Sequence, residues 1–434
     1  MDLKEVEKYL ADFQDKELPL LIRRPVPKFS EKKISAIIGP RRAGKTSFLF
    51  QIMQDMIHQG RPKSEIVYLN FENARLFDMQ FKDVSKVIDL HRRIFPSGNR
   101  PVVFIDEPQN MAMWERAVRA LYDDGYQIFM SGSSSKLLSK EIATSLRGRS
   151  LSYLILPFSF TEYLDIKGYE ANSVQSSERT IKILSSLDEY LEFGGYPEVV
   201  LEKDDDLKQK TLQNYLDLTI YKDMVERHGI KDTMLVKWLI KSIMSSYTKE
   251  ISVNKIYSTL KSQGRKFSKD ELYRLASHVN DSFFAMYLPR FSYSIRKREP
   301  TGKAYLCDIG FARLIESSPD IGKKMENTVF IELIRRQDTG MELFFWKTQS
   351  EEVDFVIKKG SKAIQLIQVS KHGKDEKLKD REARALLKAG KTLDCQNLLI
   401  ITQDEESIKE YEWYGIKGSV QSIPLWKWLL QNEK

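Results

Sequence analysis

The residues best suited to chemistry lie together near the amino terminus. They are Gly39, Pro40, Arg41, Arg42, Ala43, Gly44, Lys45, Thr46 and Ser47. Glycines at this spacing let the backbone turn tightly and point successive N–H groups at phosphate oxygens, at the positive end of a following helix. Lys45 then reaches the β- and γ-phosphates, and the hydroxyl of Thr46 binds Mg²⁺. The stretch predicts a site for ATP or ADP with Mg²⁺.

A second apolar run, "VVFIDE", ends in Asp106 and Glu107. An apolar strand that ends in two acids is common, but beside a phosphate loop it completes a nucleotide site. We then expect Asp106 to hold the Mg²⁺-bound water and to be a metal ligand with Thr46. Glu107 is expected to orient or deprotonate the attacking water.

The charged and polar residues around the loop leave alternatives open. Because the backbone and Lys45 grip the phosphates, we expect the side chains of Arg41 and Arg42 to point outward, toward solvent or a partner. Glu72 and Asn73 follow the next apolar run. They are either a polar strand end or part of the catalytic site.

The apolar pattern predicts the elements that position these residues. Runs at 34–39, 65–71, 101–107 and 126–133 alternate with helical patterns and are rich in Val and Ile, as in strands buried on both faces of a parallel sheet. A fifth run at 151–160 closes this domain. The sequence therefore predicts an α/β fold with a parallel-sheet nucleotide domain at 1–170.

Three further parts follow in the sequence. Helical patterns predict a lid or connector at 171–230. Three helices and a basic pair of strand-like runs at 231–318 outline a winged helix. Residues 319–434 combine a leading helix with alternating strands, which predicts a mixed α/β domain.

Several stretches resemble one family. "GPRRAGKT", "NFENARL", "FIDEPQNM", "GSSSKLLSKEIATSLRGR" and "PFSFTEYL" are similar to a large prokaryotic group of AAA-type ATPases of the AAA+ P-loop superfamily. Later stretches such as "EYLEFGGYPEVVL" and "FWKTQSEEVDFVI" extend the resemblance over essentially the whole chain. Members of that group carry a helical, winged-helix region and a PD-(D/E)xK nuclease-like (restriction-endonuclease-like) C-terminal domain of unknown function.

The resemblance implies roles for four more residues. Ser131 and Ser133 end a strand where AAA+ proteins place a polar sensor for the γ-phosphate. Arg147 and Arg149 could supply a cation to that phosphate, in cis or from a neighbouring subunit of a homo-oligomer, as an arginine finger does. The alternative is that both arginines pair with surface acids.

The middle region offers basic side chains interleaved with aromatic residues. The basic residues are Lys255, Lys261, Arg265, Lys266, Lys269, Arg274, Arg296, Lys297 and Arg298. On a helix and a wing, such side chains can follow a DNA backbone. Protein contact and a plain solvated face are the alternatives.

The C-terminal segment resembles a PD-(D/E)xK nuclease core, with Glu326 on the leading helix and Asp354 in a strand. An active core also needs a second acid for the metal and a lysine that positions water. Gln368 and Ser370 stand at those positions, and the strand pleat turns the next residue, a lysine, to the other face. We expect a degenerate site that leaves DNA uncut, unless Lys379 or Arg384 replaces the missing lysine.

Composition limits the class of protein. Of 434 residues, 41% are hydrophobic and 30% charged, and the net charge of +8 is a mild bias toward acidic partners. The two cysteines, Cys307 and Cys395, stand far apart, which argues against structural zinc and a disulfide framework. No apolar run has the length of a signal-peptide core or a membrane span, so we expect a cytoplasmic protein with no membrane partner.

Together these patterns predict an Mg²⁺-dependent ATPase that couples its nucleotide state to DNA or protein binding. Two alternatives stay open: a slow nucleotide-dependent switch or scaffold with a protein partner, and an ATP-regulated DNA nuclease. ATP turnover with and without DNA separates the first two, and a metal-dependent cleavage assay tests the third.

Overall fold

The structure is a computed structural model that describes residues 2–132, 146, 148–169, 176–262, 264, 267–292, 302–315, 320–371 and 376–431, with the backbone alone for 376–379. It divides into two compact units, Met1–Leu156 and Pro157–Lys434. The predicted division into four domains places three of them in the second unit and stays a prediction. Among the described residues, none of the helices is both long and apolar enough to span a membrane.

The first unit is built on a parallel sheet. Its elements are α1 (Leu3–Asp15), β1 (Ile34–Ile38), α2 (Lys45–His58), β2 (Ile66–Asn70), α3 (Asp83–Ile94), β3 (Val102–Asp106), α4 (Trp114–Asp123), β4 (Ile128–Gly132) and β5 (Ser150–Leu154). The strands lie in the order β2-β3-β4-β1-β5, and all four neighbouring pairs are parallel. The predicted parallel-sheet domain is confirmed.

The apolar sequence of the strands explains where the sheet lies. Every residue of β1, β3 and β4 is buried. Phe48 of α2 belongs to the same core as Phe104 and Phe129, whose rings stack with centroids 5.0 Å apart. Because β1 lies inside the sheet, the loop that follows it starts beside the carboxyl ends of its neighbours, where ligands bind in parallel sheets.

The second unit begins with a helical region. Its elements are α5 (Phe160–Ile166), α6 (Ser177–Phe193), α7 (Pro197–Leu201), α8 (Asp205–Leu218), a π-helical segment (Thr219–Glu226), α9 (Thr233–Ser245), α10 (Val253–Ser262), α11 (Lys269–Asp281) and the strands β6 (Ala285–Leu288) and β7 (Lys303–Leu306). Strands β6 and β7 pair in antiparallel fashion. The helical middle region is confirmed, and its assignment as a winged helix stays a prediction.

A mixed sheet completes the second unit. Its elements are α12 (Ile321–Arg335), β8 (Met341–Lys347), β9 (Glu352–Lys359), β10 (Lys362–Ser370), α13 (Glu376–Leu393), β11 (Leu398–Thr402), β12 (Ser407–Trp413), β13 (Ile416–Pro424) and α14 (Leu425–Leu430). The strand order is β12-β13-β11-β10-β9-β8, with parallel pairs only around β11. The predicted mixed α/β ending is confirmed.

One buried histidine of the first unit is expected to respond to acid. His91 lies on the inner face of α3, is 1% exposed, and has its ring 5.1 Å from that of Phe95. Within the described part of the chain, neither of its ring nitrogens has a hydrogen-bond partner. Burial lowers the pKa of His91 to about 4, because apolar surroundings disfavour the charged imidazolium.

We predict that His91→Phe reduces the acid sensitivity of the first unit. The unfolded chain protonates this histidine near pH 6.5 and the folded chain only near pH 4. Above pH 6.5 the histidine is neutral in both states and does not change the free energy of unfolding. As pH falls toward 4, the unfolded chain binds the proton first, which lowers the free energy of unfolding by on the order of 1 to 3 kcal/mol. Urea unfolding at pH 7 and pH 4.5 measures the loss, which should shrink in His91→Phe and persist when the exposed His58 is changed to Phe. An unchanged pH dependence in His91→Phe would contradict this account.

Candidate functional site

The loop between β1 and α2 has the backbone that its glycines predict. Gly39 and Gly44 have φ angles of 150° and 92°, and Arg42 between them has a φ of 65°. A Cβ atom on Gly39 would lie 1.9 Å from the carbonyl oxygen of Ile155. Only glycine allows this close approach, so the chain after β5 fixes where the loop begins.

Lys45 is held inside this loop. Its side chain is 5% exposed, and its Nζ donates to the carbonyl oxygen of Pro40 at 2.8 Å. Pro40 and Ala43 are buried, whereas Ser47 is exposed. The ammonium is therefore bound by the loop's own backbone, on the loop that the motif assigns to phosphate.

The carboxylate of Asp106 collects hydroxyl groups from three parts of the unit. Thr46 Oγ1 and Tyr68 Oη donate to Asp106 Oδ2 at 2.8 and 3.0 Å. Ser131 Oγ donates to the other oxygen, Oδ1. In the strand register Asp106 pairs with Asn70 and Ser131, so these groups share the carboxyl edge of the sheet. A hydroxyl and a carboxylate in contact offer the hard oxygen ligands that Mg²⁺ prefers, and the pair fits the predicted metal.

Glu107 has a strained backbone. Its φ and ψ are both 50°, in the left-handed region, where a residue other than glycine stores about 1 to 3 kcal/mol. Its N–H donates to the carbonyl oxygen of Ser131 at 3.0 Å, and Gln109 Nε2 donates to its Oε2. Burial raises the pKa of Glu107, and the Lys45 ammonium opposes this shift. Backbone strain and an altered pKa at one residue are features often found together at functional positions.

Comparisons with known proteins identify the domain to which this loop belongs. Residues 31–164 match the family described as AAA domain. An uncharacterized protein of Methanocaldococcus jannaschii is 37% identical over 406 residues, which covers 93% of this chain and 89% of that protein. The chain belongs to this family of AAA-domain proteins. Another uncharacterized relative, from Haemophilus influenzae, is 31% identical over 410 residues, covering 92% of this chain and 94% of its own length.

The remaining matches say less about the AAA-domain protein. Residues 184–320 and 321–427 match two families, each described as a domain of unknown function (DUF8612 and DUF4143). The winged-helix and nuclease-like assignments therefore stay predictions. A solved DNA polymerase III gamma-subunit-related protein from Thermotoga maritima aligns at 14% identity over 64% of this chain and 99% of that chain, with a TM-score of 0.24. A score this low carries no structural comparison.

The two arginines of the AAA-domain loop differ in exposure. Arg42 is exposed, as expected. Arg41 is not free in solvent: its side chain is 23% exposed and its Nη1 lies 3.9 Å from Glu72 Oε1. The outward orientation expected for Arg41 stays a prediction. Asn73 Oδ1 accepts from the N–H of Arg75 at 3.0 Å and so caps the short 3-10 helix Ala74–Leu76, which is a structural role.

The structure places Arg149 at the opposite edge of the AAA-domain sheet. Its neighbour Ser150 pairs with Ile34, the first residue of β1, whereas the phosphate loop follows the last. The Arg149 guanidinium lies 3.1 Å from Asp123 and 5.4 Å from the centre of the Tyr122 ring. The in-cis role is wrong, because Arg149 pairs with a surface acid far from its own loop. Contact with a neighbouring subunit stays a prediction, and Ser133 and Arg147 lie outside the described residues.

Two residues outside every predicted motif hold the phosphate loop. Arg24 precedes β1 and donates to the carbonyl oxygens of Ala43 and Leu156 at 3.1 and 2.9 Å. Gln51 of α2, which is 1% exposed, accepts from the Arg24 N–H at 3.0 Å and donates to its carbonyl oxygen at 2.7 Å. Arg24 thereby links the carbonyl group of Ala43 in the loop to the chain that follows β5. The sequence gives no signal for this contact, because its partners are separated by 132 residues.

The C-terminal acids are brought together around a lysine that the sequence did not indicate. Glu326 Oε1, Glu352 Oε1 and Asp354 Oδ1 lie 3.0, 2.7 and 2.9 Å from Nζ of Lys303. Gln368 instead accepts from the backbone N–H of Asp354 at 3.3 Å.

The two candidates for a relocated lysine do not join this cluster in the described structure. Arg384 Nε lies 3.8 Å from Glu351, and its side chain is 40% exposed. The side chain of Lys379 falls outside the described residues. Lys303 is therefore the cation that the structure places among the acids.

We predict that Arg24→Ala weakens binding of a fluorescent ATP analogue about tenfold, since it removes two charge-assisted bonds that fix the loop. Arg24→Lys should recover part of the affinity, because an ammonium can reach one of the two carbonyls. Arg23→Ala is the matched control, since that neighbouring arginine pairs with Asp55 at the surface. Equal affinity in Arg24→Ala and Arg23→Ala would show that the contacts of Arg24 with the loop do not support nucleotide binding.

Proposed function

We propose that this AAA-domain protein binds ATP and hydrolyses it with Mg²⁺. The contact between Thr46 Oγ1 and Asp106 Oδ2 carries the proposal. It joins the phosphate loop to the acidic strand end, so that a hydroxyl, a carboxylate, a buried lysine and a strained glutamate meet at one edge of a parallel sheet. This is the set of groups that phosphoryl transfer to water requires.

Each side chain has a distinct role in this proposal. The loop N–H groups and Lys45 bind the β- and γ-phosphates, and Lys45 exchanges its carbonyl partner Pro40 for phosphate oxygens. Thr46 and Asp106 would hold Mg²⁺, which when bound neutralises phosphate charge. Ser131 keeps the Asp106 carboxylate oriented.

Glu107 is the proposed general base. Its raised pKa makes the carboxylate a better proton acceptor than an exposed glutamate. The bond from Gln109 holds one of its oxygens, and the bond from its own N–H to Ser131 fixes the backbone beside Asp106. Hydrogen bonds thus hold both the side chain and the left-handed backbone of Glu107 in place.

We predict that Lys45→Ala loses ATP binding, whereas Glu107→Gln keeps binding and hydrolyses about 10²- to 10⁴-fold more slowly. Binding is measured with a fluorescent analogue and turnover by phosphate release. Lys32→Ala and Glu31→Gln, at exposed positions before β1, are the controls and should behave like wild type. Wild-type turnover in Glu107→Gln would refute its role as base.

We propose further that the nucleotide state controls binding of DNA or protein by the second unit. The described residues include three exposed lysines, Lys255, Lys261 and Lys269, and two of them lie against the ring of Tyr257. The ammonium groups of Lys261 and Lys269 lie 5.9 and 5.4 Å from the centre of its ring. Cations beside an aromatic ring suit a phosphate backbone, which supports DNA as the partner. The basic segment with Arg296, Lys297 and Arg298 lies outside the described residues.

We predict that changing Lys255, Lys261 and Lys269 together to Ala weakens DNA binding across sequences. It should flatten the plot of log affinity against log salt by about 2 to 3 units, since each lost phosphate contact removes about 0.9. Fluorescence anisotropy at several salt concentrations measures this, with Lys203, Lys210 and Lys222 changed to Ala as the control triple. Wild-type protein that binds no DNA at low salt, and whose ATP turnover DNA leaves unchanged, would point to a protein partner.

A further inference from the structure

The cluster around Lys303 joins three elements of the second unit. Lys303 belongs to β7, Glu326 to α12, and Glu352 and Asp354 to β9. The lysine side chain is 3% exposed, and its three carboxylate contacts are all 3.0 Å or shorter. An ammonium has three N–H donors, so this set satisfies all of them.

The carboxylates are themselves held in place by other groups. Tyr305 Oη donates to Glu326 Oε1 at 2.7 Å, and the N–H of Val369 donates to Asp354 Oδ2 at 3.0 Å. Lys347 lies 3.0 Å from Glu352 Oε2. The positions of the carboxylates are thus set by the surrounding fold as well as by Lys303.

The charged groups of the cluster shift one another's pKa values. Burial lowers the pKa of Lys303, but Asp354 and the other acidic groups outweigh burial and raise that pKa well above its usual value. Burial and the Asp354 charge raise the pKa of Glu326 to about 7. The lysine therefore stays charged at neutral pH and is the counter-ion that the buried acids need.

We infer that the ammonium of Lys303 is the resident cation of this carboxylate cluster and occupies the position that a divalent metal would need, so that the native protein binds no divalent metal there. Removal of the ammonium would leave Glu326, Glu352 and Asp354 as a latent site for Mn²⁺ or Mg²⁺. This inference does not depend on the proposed ATPase activity.

The geometry argues that metal and lysine exclude each other. Mg²⁺ needs oxygen ligands at about 2.0 to 2.1 Å in octahedral positions. Here the oxygens face one nitrogen at 2.7 to 3.0 Å. In the described ranges, no three His, Cys, Asp or Glu side chains are close enough as they stand to hold a metal ion, so these carboxylates would have to move inward by about 1 Å once the ammonium is removed. A dication beside the buried ammonium would also be repelled. The residues thus do not fit the metal that a PD-(D/E)xK nuclease requires.

Mn²⁺ titration of the full chain without nucleotide tests the inference, with bound Mn²⁺ counted by electron paramagnetic resonance. Lys303→Ala should bind about one more Mn²⁺ per chain than wild type, as expected for a freed carboxylate site. Lys303→Ala combined with Asp354→Asn should lose that ion again. Mn²⁺ should also raise the Tm of Lys303→Ala but not that of wild type. Lys347→Ala is the matched control, because this lysine contacts Glu352 from the outer side, and it should gain no ion.

Two results would overturn the inference. The first is a folded Lys303→Ala that binds no more Mn²⁺ than wild type. The second needs no Lys303 variant and so covers the case in which that variant does not fold: wild type would bind one more Mn²⁺ than Asp354→Asn. Equal Mn²⁺ binding by wild type and Asp354→Asn is the outcome that the resident ammonium requires.

Discussion

The carboxylate of Asp106 is the interaction on which the functional edge of the first unit depends. It is 1% exposed, and a buried negative charge is costly unless hydrogen bonds compensate it. Thr46, Tyr68 and Ser131 supply three such bonds, from the first turn of α2, from β2 and from β4. One charge therefore fixes the mutual positions of three chain segments.

The same carboxylate, together with the hydroxyl of Thr46, is also the proposed ligand of Mg²⁺. A cation bound at Thr46 and Asp106 would take over part of the compensation that the hydroxyls now provide. Tyr68 and Ser131 would keep their bonds, since both come from the sheet. The carboxylate is thereby oriented before any ligand arrives, which lowers the reorganisation that binding requires.

Much of this site could be predicted from sequence, because its groups are local. The glycine spacing, Lys45 and Thr46 lie within eight residues, and "VVFIDE" ends directly in the acids. The contacts that support them are not local. Tyr68 reads as an ordinary apolar strand residue, and Arg24 binds a carbonyl oxygen 132 residues away. For Arg149 the sequence was misleading, because this residue lies at the edge of the sheet opposite the phosphate loop.

In the C-terminal part, the structure brings together the two acids that the nuclease resemblance singled out, around a cation that the sequence did not indicate. Lys303 stands 23 residues before Glu326 and 51 before Asp354, in a separate antiparallel pair of strands. The nuclease pattern places the lysine at Ser370 in β10, or at Lys379 or Arg384 in α13, and not in β7. A buried charge can be compensated by a side chain from any element that packs against it. The periodicity of a strand does not indicate which element supplies that side chain.

The contacts of Gly39 and Arg24 that hold the phosphate loop also determine when the loop can form during synthesis. Gly39 approaches the carbonyl of Ile155, and Arg24 donates to that of Leu156. β1 is paired on one side with β4 and on the other with β5, so its partners are made roughly a hundred residues later. A nascent chain on the ribosome thus carries the complete nucleotide motif long before it has the backbone to shape it. Nucleotide binding becomes a marker for the completion of the whole first unit.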